Sequence, residues 1–309
     1  MTYCGRPERA TIHPSQPSFG YLREDQVREV LPPGDICAAV ARVIRENDLQ
    51  PGFVAEARHG ELSVGARSGF VGRDAFGIKV RAGAEGRYLT LVWDGDGHLG
   101  TVVESAYLTY LRTAALLMLV PHLHGVSVAR MLIMGTGRLG SACCSVASVW
   151  YPAAQVYVWS RSADLPRVGW PGLDRSAVRI WAGRALRETD FDIITTCTPA
   201  REPLPLRHVR SRYVGVAGAV RPDRRELPDQ WPRQAAQPCS DLPARAVATC
   251  GDLAELPAAA VRSLSEARVT AGSCITFVCG NGAIDTHLAW NAWSRVSSSH
   301  IGSSHGYSE

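Results

Sequence analysis

The hexapeptide Gly135-Thr136-Gly137-Arg138-Leu139-Gly140 follows a β-rich run, Val126 to Met134, and leads into small residues, Ser141 to Val149, that read as a helix. A strand turning through spaced glycines into a helix is the pattern of a dinucleotide-binding βαβ unit. Gly135 is expected to make the tight turn, Gly137 to let the main chain approach a pyrophosphate, and Gly140 to let helix and strand pack closely. The helix N-terminus, with free N–H groups and a positive dipole, would face the phosphates. A glycine-rich turn in some other α/β fold is the plainer alternative.

The segments around this turn agree with a doubly wound sheet. Further strands are expected at Gln155 to Trp159, Val178 to Trp181, Phe191 to Thr196, Tyr213 to Val216 and Ile275 to Val278, with loop and helix over Leu253 to Val269. Upstream the pattern differs. Glu24 to Val30 and Gly34 to Asn47 look helical, the second carrying Ile36, Val40 and Ile44 on one face. From Phe53 to Val103 come short strands separated by glycine, with a hairpin signal at Asp94-Gly95-Asp96-Gly97. A helix from Glu104 or Ser105 to about Leu119 and a closing helix from Asp285 to Val296 complete the reading. The fold class is therefore α/β: a Rossmann-type parallel sheet, residues 125–285, inserted in an α+β substrate-binding and dimerisation domain, residues 19–124 plus 286–299. Loose termini are expected at 1–18 and 300–309.

Composition narrows the function classes. No run of about 18 uncharged apolar residues is present, which argues against a membrane span. Residues 1–18 lack the apolar stretch of a secretory signal, so a cytoplasmic location is expected. The nine cysteines form no CxxC pair; no metal site is expected, and most thiols read as small buried residues. The net charge of +4 comes with scattered arginines, which gives nucleic-acid binding little support. Lys79 is the only lysine among 33 basic residues. Arginine can replace lysine as surface charge but not where an amine must lose a proton, so Lys79 is a candidate for chemistry. Chance survival at an ordinary strand position is the alternative.

The strand after the glycine turn bears on which dinucleotide binds. It ends Val158-Trp159-Ser160-Arg161-Ser162, without the acid that bonds a ribose 2′-hydroxyl in NAD sites. A guanidinium flanked by hydroxyls suits a 2′-phosphate, so NADP(H) is favoured, with Ser160, Arg161 and Ser162 as candidate ligands. If Arg161 is merely solvated, both cofactors bind. Thr195-Thr196-Cys197-Thr198-Pro199 ends a later strand where Thr196 and Thr198 are expected to line the nicotinamide side, unless this is a plain strand-to-loop turn.

Phe76-Gly77-Ile78-Lys79-Val80, Leu108-Thr109-Tyr110-Leu111-Arg112-Thr113-Ala114-Ala115, the Gly135 turn, Thr196 to Pro203 and Arg221 to Leu227 come in the order of the ornithine cyclodeaminase/mu-crystallin family. Over roughly Tyr21 to Arg295 the chain resembles that family, and its ketimine-reductase-like branch in particular. The resemblance implies a two-domain homodimer acting on small amino-acid-derived substrates, moving a hydride at the carbon beside a carboxylate. It implies that Lys79 and Arg112 hold the carboxylate, that Lys79 also moves protons, that Arg58 contributes, and that Thr113 touches the cofactor phosphates. Three departures stand out. Val220 replaces the aspartate of cyclodeaminases; Cys279 to Asp285 departs from the usual S-x-G-x-A pattern; and Ser63 to Asp74 lacks the common Met-Pro and holds Arg67 and Arg73 instead. The expected function is an NADP-dependent oxidoreductase reducing a C=N bond next to a carboxylate, or the reverse. The alternatives are an amino-acid cyclodeaminase with bound NAD and a catalytically weak nucleotide-binding protein.

Overall fold

The computed structural model describes residues 20–46, 50–59, 62–83, 87–161, 178–182, 186, 189–218, 220–254, 256–257, 260–268 and 272–303. The segment 1–18, expected to be loose, lies outside the described residues. At the other end the closing helix runs on to Ser303, into the expected tail.

The first unit is built from β1 (Gly20–Leu22), α1 (Glu24–Val30), α2 (Pro33–Glu46), β2 (Gln50–His59), β3 (Leu62–Val71), β4 (Ala75–Ala82), β5 (Arg87–Asp94), β6 (Leu99–Glu104), α3 (Ala106–Leu117) and α4 (Leu119–Leu123). Its six strands lie in the order β1-β6-β5-β4-β3-β2, antiparallel except for the β1–β6 pair. The predicted stripe of α2 is buried, with Ile36 and Val40 fully covered. At the predicted hairpin, Asp94 Oδ1 accepts the N–H groups of Asp96 and His98, which fixes the turn between β5 and β6.

The second unit is a parallel sheet. It comprises β7 (Arg130–Met134), α5 (Arg138–Trp150), β8 (Gln155–Ser160), β9 (Val178–Ala182), β10 (Thr189–Thr196), β11 (Val209–Val216), α6 (Gln230–Gln234), β12 (Gln237–Ser240), α7 (Pro243–Thr249), β13 (Arg262–Ser263) and β14 (Cys274–Phe277). The order is β13-β12-β14-β11-β10-β7-β8-β9, every pair parallel. The winding reverses at β7, between β8 and β10, and ligands of such sheets bind in the crevice outside the strand ends at that point. The expected helix within Leu253–Val269 is absent among the described residues. Single 3₁₀ turns at Gly251–Leu253 and Leu264–Glu266 take its place, because Arg262 and Ser263 pair with β12.

The last helix, α8 (Gly282–Ser303), leaves the parallel sheet and returns to the first unit, against β3 and β4. It starts four residues earlier than the expected domain boundary. Gly69 and Gly77 sit inside β3 and β4, where α8 crosses. A Cβ on Gly69 would lie 2.2 Å from the Ala283 nitrogen, and one on Gly77 2.7 Å from the Thr286 hydroxyl. Only glycine lets the helix come this close. Helix α3 bridges the units, packing on α5 and α8 and, through Leu117, on Gly215 of β11. Leu116, Met118 and Leu119 are fully buried at this junction, each side chain worth about 1.5–3 kcal/mol of burial. No helix among the described residues is long and apolar enough to cross a membrane.

Candidate active site

Strand β7 ends in the glycine turn, and the turn is tight on every side but one. Gly135 has φ +124°, a conformation only glycine adopts easily, and its N–H donates to Trp159 O at 3.0 Å, tying the turn to β8. A Cβ on Gly140 would lie 2.0 Å from Gly135 O, so helix and strand touch there. A Cβ on Gly137 would meet nothing within 4 Å. That open side faces a groove of about 680 Å³ lined by Gly135, Thr136, Gly137, Ser160, Arg161 and Thr198. The N–H groups that open a 13-residue helix, beside this groove, fit a pyrophosphate.

The neighbouring residues divide. Arg161 is exposed at the end of β8, Ser160 is buried beneath it, and Ser162 lies outside the described residues. Arg138 is exposed at the first helical position, while Leu139 is half-buried and faces a second cavity. Thr196 does not line the groove: it is fully buried and its hydroxyl donates to Glu226 Oε2 at 2.8 Å. Thr198 lines the groove, yet its N–H and hydroxyl both donate to Glu226 Oε1, at 2.7 and 2.6 Å. Gly218 N–H supplies a fourth donor to the same carboxylate. Burial pushes the Glu226 carboxyl up against these four bonds. Glu226 thus clamps the loops after β10 and β11, so these threonines shape the groove more than they face it.

The second cavity, about 220 Å³, lies between the two sheets and shares the α5 turn with the groove through Leu139. Alternation along β4 turns Gly77, Lys79 and Arg81 toward it and Phe76, Ile78 and Val80 away. Lys79 from β4, Arg112 from α3 and Asp285 from α8 meet there, each 2–3% exposed. Arg112 presents Nε to Asp285 Oδ1 at 2.9 Å and Nη2 to Oδ2 at 3.3 Å, a fork-on-carboxylate pair. Lys79 Nζ lies 2.5 Å from Oδ2, in a direction that gives it no well-formed hydrogen bond. Arg67, opposite Lys79 on β3, completes the group. Gly280, with φ +90°, makes room for both guanidiniums: a Cβ there would lie 2.5 Å from Arg67 Nη1 and 3.1 Å from Arg112 Nη2. Asp241 fixes this turn, accepting the N–H groups of Cys279 and Gly280 at 2.7 and 2.8 Å.

The electrostatics follow from burial and charge. Burial pushes the Lys79 ammonium down to about 7; Asp285 opposes the shift, and Arg112 and Arg67 reinforce it. Burial works against an ionised Asp285, but the Arg112 and Lys79 charges outweigh it and hold the carboxyl below its ordinary value. Their effects on folding have opposite signs. Between pH about 7 and 10.5 the unfolded chain holds a proton on Lys79 that the folded chain lacks, so stability rises with pH through that window. Asp285 contributes above the ordinary carboxylate range, and its contribution is lost as pH falls through its depressed value.

Of the residues expected here, Lys79, Arg112 and Thr113 line one cavity; the Thr113 hydroxyl donates to Thr109 O at 2.7 Å. The Arg58 side chain lies outside the described residues. Its backbone pairs with Ser63, four residues along β3 from Arg67, which is roughly 13 Å at the usual strand rise. The arginine seen beside Lys79 and Arg112 is Arg67. The register Arg67↔Lys79 is the signal that points to it, since cross-strand partners share a face. No local signal marks Asp285, whose partner Arg112 is 173 residues away.

No protein-family model and no curated protein matches the sequence. Solved structures do match in fold. A probable ornithine cyclodeaminase from Bordetella pertussis is 17% identical, with TM-score 0.74 over 92% of this chain and 99% of its own. Thermococcus litoralis Δ1-pyrroline-2-carboxylate reductase, in complex with NADH and L-proline, is 15% identical with TM-score 0.78, covering 91% and 98%. An archaeal alanine dehydrogenase dimer with bound NAD is 15% identical with TM-score 0.75, covering 91% and 97%. The chain, a parallel sheet inserted in an antiparallel-sheet unit, has the fold of this probable ornithine cyclodeaminase, this pyrroline-carboxylate reductase and this alanine dehydrogenase.

Proposed function

We propose that the chain is a nicotinamide-dependent oxidoreductase that reduces a C=N bond next to a carboxylate, or runs the reverse oxidation. One observation carries this reading: the turn after β7 borders the nucleotide groove and, through Leu139, the cationic cavity. A dinucleotide in the groove and a carboxylate-bearing substrate in the cavity would meet beyond the ends of β7 and β10. Structural neighbours that handle imino and amino acids with NAD or NADH support the same chemistry.

A bound nicotinamide supplies or accepts the hydride; the remaining tasks fall to this chain. Arg112 has its Nε–Nη2 edge on Asp285, so it offers Nη1 to a substrate carboxylate, and Arg67 shares the load. Lys79 stands between Asp285 and the cavity, with a pKa of about 7, and can give a proton to the imine nitrogen or take one from the amine near neutrality. Val220 lines the cavity and can carry no proton, which disfavours cyclodeamination. The cofactor is NADP(H) on this reading, because Arg161 ends β8 and no acid does.

The chain also assembles as a homodimer on this reading. The face of the antiparallel sheet turned away from the cavity carries Phe70, Phe76, Ile78, Leu89, Leu91 and Trp93, all part-exposed and continuous across β3, β4 and β5. A patch of this kind marks an interaction surface, and a structural neighbour of the same fold is a dimer.

Lys79→Arg keeps the charge but cannot cycle a proton, so turnover in NADPH oxidation with cyclic imino acids should fall at least about a hundredfold with NADPH affinity nearly unchanged. Wild-type kcat/KM for reduction should drop as pH rises through about 7, and amine oxidation should rise over the same range; activity within a few-fold of wild type in the variant would leave Lys79 a positioning role. Asp285→Asn removes the counter-ion of two buried cations. It should cost about 3–5 kcal/mol in urea denaturation and move the pH limb downward, since the carboxylate holds the Lys79 value up; unchanged stability would contradict the triad. In fluorescence titrations NADPH should bind more tightly than NADH, and Arg161→Ala should weaken NADPH selectively; equal affinities would remove the NADP assignment. Light scattering should give a dimer for the wild type and a monomer for Leu91→Asp, whereas a monomeric wild type would end the dimer proposal.

A further inference from the structure

The cavity holds more positive charge than one carboxylate can answer. Arg67, Lys79, Arg81, Arg112, Arg221 and Arg245 line it, while Glu56 at its wall and Asp285 behind it are paired with Arg67, Lys79, Arg112 and Arg245. The cations outnumber these two carboxylates, and still do when Lys79 is neutral. Each of these carboxylates already has its partners. Asp285 holds Lys79 and Arg112, and Glu56 Oε1 accepts from Arg245 Nη2 at 3.0 Å and lies 3.9 Å from Arg67.

Arg81 is the exception. It sits two residues along β4 from Lys79, on the same face and roughly 6.6 Å away along the strand. Its side chain is half-buried, no carboxylate pairs with it among the described residues, and its hydrogen bond is a long one, 3.5 Å, to the Ser63 hydroxyl. The cross-strand residue on β3 is Gly65, where a Cβ would lie 3.7 Å from Glu56 Cγ and 4.0 Å from Arg81 Nε. The missing side chain leaves the guanidinium open to the cavity. A partly desolvated cation without a counter-charge is costly, and a ligand that brings one gains accordingly.

Resting on the reductase reading above, we propose that the substrate is a dicarboxylic imino acid, whose second carboxylate is held by Arg81. Arg67 and Arg112 take the carboxylate next to the C=N carbon; Arg81, one repeat further along the strand, takes the distal one. Arg245, anchored by Glu56, borders the same corner from α7. Arg81 is then the residue that sets specificity, and it takes no part in proton or hydride transfer.

Succinate and butanoate, four-carbon acids that differ by one carboxylate, test this by isothermal titration calorimetry on the full chain. Succinate should bind the wild type at least about tenfold more tightly than butanoate. Arg81→Met should bring that ratio close to one with butanoate binding unchanged, and Arg81→Lys should keep a preference for succinate. A wild-type ratio near one, no binding of either acid, or a ratio untouched in Arg81→Met would overturn the proposal. A parallel assay follows NADPH oxidation with ammonia and either oxaloacetate or 2-oxobutanoate. Turnover of both oxo acids without preference would overturn the dicarboxylate site and leave the reductase reading standing. An Arg81-dependent succinate preference with no oxidation of NADPH would support the site and remove the reductase reading.

Discussion

The approach of α8 to the antiparallel sheet sets the geometry of everything around it. Gly69 and Gly77 let the helix backbone settle on β3 and β4, and that distance brings the Asp285 carboxylate between Lys79 and Arg112. The order of dependence matters. Two cations at 2–3% exposure would be costly alone, and the carboxylate that offsets them arrives only because two strands lack side chains at the crossing points. The glycine of Phe76-Gly77-Ile78-Lys79-Val80 and its lysine are therefore parts of one device: the first admits the helix, and the helix holds the second. The lowered pKa of Lys79 has the same origin, because the helix that supplies its counter-ion also seals it from water.

Buried acids do comparable work elsewhere around the two cavities. Glu226 gathers four donors from the loops after β10 and β11, and its own N–H donates to Asp252. Asp241 collects two N–H groups from the turn ahead of α8. None of these carboxylates lines the groove or the cationic cavity. Each fixes a loop at the carboxyl edge of the parallel sheet, where loop position decides what the groove can hold. A buried carboxylate suits this task because it accepts several main-chain donors at once, and charge-assisted bonds are the stronger kind.

Local features were legible in the sequence, and contacts between distant segments were not. The glycine turn, the lone lysine, the helices at Glu24–Val30 and Pro33–Glu46 and the hairpin at Asp94 all depend on residues close in the chain. Arg67 was within reach of a sequence reading only once β3 and β4 were paired in register, because alternation then puts it opposite Lys79. Within Leu253 to Val269, read as loop and helix, pairing of Arg262 and Ser263 with β12 prevails over local propensity. Thr196 looked like a ligand from its place at a strand end; its hydroxyl is taken by Glu226, 30 residues later. Asp285 was visible only as part of an altered segment, since nothing near it in the chain tells which charges it will meet.

The position of α8 after the whole parallel-sheet unit has a consequence for biosynthesis. During translation the strands that carry Lys79 and the helix that carries Arg112 leave the ribosome first. The whole parallel-sheet unit must follow before Asp285 is made, 173 residues after Arg112. Until then the inner face of the antiparallel sheet has no cover and its two cations have no counter-ion, so that face stays hydrated. The first unit thus cannot finish folding ahead of the second, and contacts spanning such a separation form slowly. A nascent chain halted anywhere in the parallel sheet is left with an open, positively charged half-site, and only a chain that has reached α8 can close it.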